Sequence, residues 1–95
     1  MNKYEAMFII RPDSSDDERK MLFSQIDDIL AKNNGKVTQA NVWSEKRKLA
    51  FPIRKYREGV YYLMNFTIAT DAISKINYAF KLNEDILRVL IIRMQ

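Results

Sequence analysis

The sequence predicts an α+β chain in the order strand, helix, strand, strand, helix, strand, forming a four-stranded antiparallel sheet with two helices on one face. Three observations carry that expectation. Short runs rich in aromatic and β-branched residues alternate with two stretches whose apolar residues recur at helical spacing. A capping-box signature stands just before the first of those stretches. The 95 residues, 47% apolar and 29% charged, amount to one domain's worth of globular chain, so residues 1–95 are expected to form a single domain.

Lys3 to Ile10 is short and rich in aromatic and branched residues, as a buried strand is, and Arg11-Pro12-Asp13 ends it because proline offers no ladder N–H. Ser15-Asp16-Asp17-Glu18 then matches a capping box, with acids suited to the positive end of the helix dipole. Leu22, Ile26, Ile29 and Leu30 follow at helical spacing, flanked by Met21 and Phe23, and Asn33-Asn34-Gly35 supplies residues that tolerate a left-handed cap.

The period changes at Lys36. Val37, Ala40, Val42 and Trp43 lead toward Leu49-Ala50-Phe51-Pro52-Ile53, a strand expected to be interrupted by Ser44 to Lys48. Arg54 to Gly59 is expected to be the reversing loop, and Val60 to Ile68 has high strand propensity. Thr70 is expected to cap a short helix carrying Ala72, Ile73, Ile76, Ala79 and Phe80 on one side. Asn83-Glu84-Asp85 breaks that helix, and Ile86 to Met94 forms the last strand. The two glycines, 35 and 59, and the two prolines, 12 and 52, are all expected near element boundaries. This order is the split βαβ, or ferredoxin-like, arrangement. Right-handed crossovers put both helices on one sheet face and leave the other face open to a partner.

Composition removes most chemistry. With no Cys and no His, the chain lacks disulfides, the usual zinc ligand sets and Cys–His or Ser–His nucleophiles. Glu45, Glu84 and Asp85 have no second carboxylate with which to form an acid–base pair, so no catalytic residue, metal, cofactor or small-molecule substrate is expected. No apolar run approaches the ~20 residues of a membrane span, and a cytoplasmic protein is expected.

Charge is the informative feature. Sixteen Lys and Arg against twelve Asp and Glu give +4, unevenly placed. Lys46, Arg47, Lys48, Arg54, Lys55 and Arg57 lie together with no acid between them, whereas six acids fall between Asp13 and Asp28. Cations interleaved with Phe51, Tyr56, Tyr61 and Tyr62 suit a phosphate backbone with exposed bases nearby. A solvated hairpin whose lysines protect a sheet edge has the same composition. Arg88 and Arg93 on the last strand join Lys3 on the first as a second basic set. Gly59-Val60-Tyr61-Tyr62-Leu63-Met64-Asn65-Phe66 echoes the third-strand signature of the RNA-recognition motif, but Glu58 stands where that signature wants a cation, and the two tyrosines read as packing. Trp43, beside Val42, reads as packing or a protein contact.

Trp43, then Arg47-Lys48-Leu49-Ala50-Phe51-Pro52-Ile53-Arg54-Lys55, then Gly59-Val60-Tyr61-Tyr62, closely resembles the bacterial small-subunit ribosomal protein six family. Tyr4-Glu5, Pro12 and Asn83-Glu84-Asp85-Ile86-Leu87-Arg88 extend the resemblance over the whole chain. Two departures stand out: Ser44-Glu45 replaces the family's glycine after the tryptophan, and Phe51 replaces its tyrosine.

The resemblance implies a structural component of the small ribosomal subunit on the cytoplasmic ribosome. Such a protein binds the central domain of 16S-type ribosomal RNA as a heterodimer with the eighteenth small-subunit protein. By position it implies Lys3, Arg47, Lys48, Arg88 and Arg93 as RNA-facing. Lys46 joins them on charge alone, and Val42 with Trp43 is the expected protein contact. The rival readings are a single-strand RNA-binding module stacking bases on Tyr61 and Tyr62, and a small ferredoxin-like regulatory oligomer.

Overall fold

A computed structural model describes residues 1–94. The elements are β1 (Asn2–Ile10), α1 (Asp16–Lys32), β2 (Lys36–Ile53), β3 (Tyr56–Ile68), α2 (Ile73–Leu82), preceded by a single tight turn at Thr70–Ala72, and β4 (Ile86–Arg93). The sheet order is β2-β3-β1-β4, every neighbouring pair antiparallel, as the ferredoxin-like pattern requires.

Side-chain alternation assigns each strand residue to one face of the sheet. Tyr4, Ala6, Phe8 and Ile10 of β1 and Val60, Tyr62, Met64, Phe66 and Ile68 of β3 point to the helices. They meet Leu22, Ile26 and Leu30 of α1 and Ile76 and Phe80 of α2 in one buried cluster. Rings interlock there. Phe8 meets Phe80 edge-on at 5.0 Å between centroids, and Phe23 stacks on Tyr62 at 4.2 Å.

Both ends of α1 follow the sequence. The Glu18 backbone N–H donates to Ser15 Oγ, and the Ser15 N–H donates back to the Glu18 carboxylate. At the other end Asn34 takes φ +62°, the Gly35 N–H donates to the Leu30 carbonyl at 2.7 Å, and the Asn34 N–H donates to that of Ala31. That pair of bonds is a Schellman cap, with Asn34 and not Gly35 in the left-handed position.

Four expectations need correcting. First, Ser44 to Lys48 does not interrupt β2, which runs unbroken over 18 residues against the 13 of β3 and absorbs the surplus in bulges. Second, the reversal is not a loop over 54–59. Ile53 pairs with Tyr56, leaving only Arg54 and Lys55 between them, at φ +47° and +74°. Third, the Thr70 side chain caps no helix. Its Oγ1 instead accepts hydrogen bonds from Asn2 Nδ2 and, at 3.2 Å, from the Tyr4 hydroxyl, tying the start of β1 to the turn. Fourth, Gly59 lies inside β3, three residues from its start, whereas Pro52 is the next-to-last residue of β2. Gly59 serves a close approach, because a Cβ there would stand 2.5 Å from Ile9 Cγ2.

Candidate nucleic-acid interface

The face away from the helices is built from the alternate residues of the same strands. On β1 these are Lys3, Glu5, Met7 and Ile9. Through the pairing register they lie beside Thr67, Asn65, Leu63 and Tyr61 of β3, and Met7 and Ile9 also lie beside Leu90 and Arg88 of β4. One row therefore crosses the whole sheet: Ser44, Tyr61, Ile9, Arg88.

Trp43 is the extra residue of a bulge between the pairs Val42–Tyr62 and Ser44–Tyr61, and its ring lies 5.8 Å from that of Tyr61 on this open face. The Arg47 guanidinium covers both rings, 4.6 Å from the Trp43 centroid and 5.5 Å from that of Tyr61. The stack holds a cation in a fixed place without neutralising it. Val42, one residue earlier, is half-buried against the core beside Tyr62. Of the two expected protein-contact residues, Trp43 is the accessible one.

The expected RNA-facing cations fall at two ends of the sheet. Arg47 and Arg88 lie toward one end of the two edge strands, which are three interstrand steps or about 14 Å apart. Lys46 and Lys48 flank Arg47 on the exposed edge, Lys48 opposite Glu58 in the ladder. Lys3 and Arg93 lie at the other end, where Arg93 Nη2 donates to Asn2 Oδ1 at 3.1 Å and both line an open crevice with Met1 and Met94.

Among the described residues none of these six cations forms an ion pair. The acids are spent elsewhere. Arg11, at the end of β1, donates to Asp85 at 2.6 Å and to Asp13 and Glu18 at 2.9 Å each. These bonds, the Asp85 one foremost, push the Arg11 guanidinium further toward its charged form. The Arg11 hydrogen bond holds Asp13 below the usual carboxylate range, and the two bonds with Ser15, then Arg11, do the same for Glu18.

Glu45 accepts from Arg19 Nη1 of α1 at 3.1 Å, while the buried Arg19 Nε has no partner among the described residues. With the Tyr56 hydroxyl donating to Asp13 at 3.2 Å, this ties the basic hairpin to the acidic start of α1. Glu45 thus has a structural role. Nothing in the sequence marks Arg11 as the hub of three acids, because Asp85 is 74 residues away.

The described residues hold no cluster of groups able to bind a metal ion, and no helix is long and apolar enough to cross a membrane.

The ribosomal protein S6 family profile matches residues 3–93. The chain belongs to the ribosomal protein S6 family. It is 38% identical over 93 residues to small ribosomal subunit protein bS6 of Caldanaerobacter subterraneus subsp. tengcongensis, covering 98% of this chain and 97% of that one. To bS6 of Thermoanaerobacter pseudethanolicus it is 40% identical with the same coverage. The crystal structure of 30S ribosomal protein S6 from Thermotoga maritima superposes with a TM-score of 0.88 at 26% identity, over 98% of this chain and 87% of that one. Ribosomal protein S6 is a structural, non-enzymatic protein of the small ribosomal subunit, and so a component of the bacterial cytoplasmic ribosome.

Proposed function

We propose that this S6 protein, acting as one domain over residues 1–95, binds the central domain of 16S-type ribosomal RNA together with the eighteenth small-subunit protein. Lys3, Lys46, Arg47, Lys48, Arg88 and Arg93 take the RNA, and Trp43 with its neighbour Val42 marks the edge that meets the protein partner. The observation that carries the reading is that among the described residues these six cations form no ion pair, while Arg11 and Arg19 make four ion pairs between them at the structural joints. An unpaired guanidinium or ammonium on an open face is ready to replace the counterions of a phosphate backbone.

The stacking alternative needs Tyr61 and Tyr62 side by side under two bases. They point to opposite faces of β3, and Tyr62 is buried among the helices. The deciding experiment measures binding to 16S ribosomal RNA at several salt concentrations, with the eighteenth protein present. Arg47→Ala/Arg88→Ala should weaken binding and reduce the log–log salt slope by about two units. Unchanged affinity and slope in that variant, with binding lost in a folded Tyr61→Ala protein, would favour the stacking module.

A further inference from the structure

The tip of the β2–β3 hairpin carries features that the fold alone does not require. Between the pairs Lys48–Glu58 and Ile53–Tyr56, four β2 residues, Leu49 to Pro52, face the single β3 residue Arg57. Leu49 and Ile53 are half-buried and anchor the two ends of this wide bulge, Leu49 reaching toward Gly59. Between them Ala50, Phe51 and Pro52 are pushed into solvent, and Phe51 is 80% exposed. Bulges of this kind re-aim side chains and gather near functional sites. Ala50 and Pro52, the residues on either side of Phe51, line a cleft of about 360 Å³ with Lys48, Leu49, Arg57 and Glu58.

The turn that closes the hairpin gives an independent observation. Two-residue hairpin turns with both residues at positive φ favour Asn-Gly, since a Cβ is disfavoured there. Arg54 and Lys55 occupy those positions. Neither pairs with a carboxylate: Arg54 donates to the Glu84 backbone carbonyl at 3.1 Å. Cations held in an unfavourable backbone conformation at an exposed tip point to a role outside folding.

We propose that this tip is a nucleotide-binding site, in which Phe51 stacks on an unpaired base of the RNA and Lys48 and Arg57, at the cleft, hold the adjoining phosphates. An exposed ring near cations that form no ion pair among the described residues is an arrangement that takes single-stranded nucleic acid, because every base offers a flat face to stack on. The proposal rests on the RNA-binding reading above, shares Lys48 with it, and adds Phe51 and Arg57.

The test uses the full chain with the eighteenth protein and purified 16S ribosomal RNA as the probe. Phe51→Leu keeps the apolar bulk and removes the ring. It should weaken RNA binding on the order of tenfold with an unchanged salt slope. Arg57→Gln should lower the slope by about one unit. Melting temperature is the control and should stay at the wild-type value in both, because both side chains are exposed. Wild-type affinity and slope in these variants, while Arg47→Ala/Arg88→Ala still weakens binding, would overturn the tip site alone. Weaker association of Phe51→Leu with the eighteenth protein in the absence of RNA, with RNA binding intact, would make the tip a protein contact and overturn the proposal. No salt-dependent binding by the wild-type pair would overturn this site and the RNA-binding reading together.

Discussion

The two faces of the sheet are built from the same strands and differ in almost every physical respect. On the helix side Ala6, Phe8, Ile10, Val60, Met64, Phe66 and Ile68 are almost wholly buried. On the open side Leu90 and Ile92 remain about half exposed, and Trp43 and Arg47 form a stack that water still reaches. The period of two in a strand lets one segment serve both purposes: Tyr62 belongs to the core, and Tyr61, its neighbour, to the interface. Stability and binding should therefore be separable by mutation at adjacent positions.

The largest effect should come from the helix face. Phe80 is fully buried against Phe8, and Phe80→Ala should cost on the order of 3–5 kcal/mol in a urea unfolding experiment. A loss below about 1 kcal/mol would break the contrast at its stronger side.

Gly59→Ala should come next, about 1–3 kcal/mol, because the new methyl collides with Ile9 Cγ2 at 2.5 Å. Ile9→Ala removes that atom, so the double variant should lose less than the sum of the two single losses. Strict additivity would place the strain elsewhere.

The helix face was the legible one. Periodicity in α1 and the alternation in β1 and β3 are local signals, and they located the strands, the helices and the residues of the core. The capping box was legible for the same reason, since Ser15 and Glu18 are three residues apart. What local reading missed depends on register. Four β2 residues opposite one on β3 cannot be read from either strand alone, and this set both the unbroken course of β2 and the exposure of Phe51. The Arg54-Lys55 turn was hidden because neither residue carries a turn signature. Of the candidate site, sequence gave the cations but not their division between two ends of the sheet, nor the Trp43–Arg47–Tyr61 stack.

Arg11 is the instructive exception among the arginines, since its carboxylate partners come from three separate places in the chain. Arg11→Gln should cost about 1–3 kcal/mol, more than the loss of any open-face cation. The same hub sets the acid response. Asp13 and Glu18 have folded pKa values below their unfolded ones, so their contribution is fully present above about pH 4. It is lost as pH falls through the lower folded values. Stability of the wild type should decline below about pH 4, and Arg11→Gln should decline less over the same range. Parallel pH profiles would remove Arg11 from that role.

The smallest effect on stability should be at Arg88, which lies on the open face in register with Ile9, is exposed, and pairs with no acid among the described residues. Arg88→Ala removes no buried surface and leaves no buried partner unsatisfied, so unfolding free energy should stay within about 0.5 kcal/mol of wild type. Removing a cation from a chain of net charge +4 also relieves a little self-repulsion, which works against any loss of packing by the guanidinium stem. Thermal melting at low and at high salt separates these terms, because only the repulsion is screened. A loss above about 1 kcal/mol that persists at high salt would mean that Arg88 helps to hold β4 in the sheet. The division of work between the two faces would then fail at the strand where the open face is most apolar.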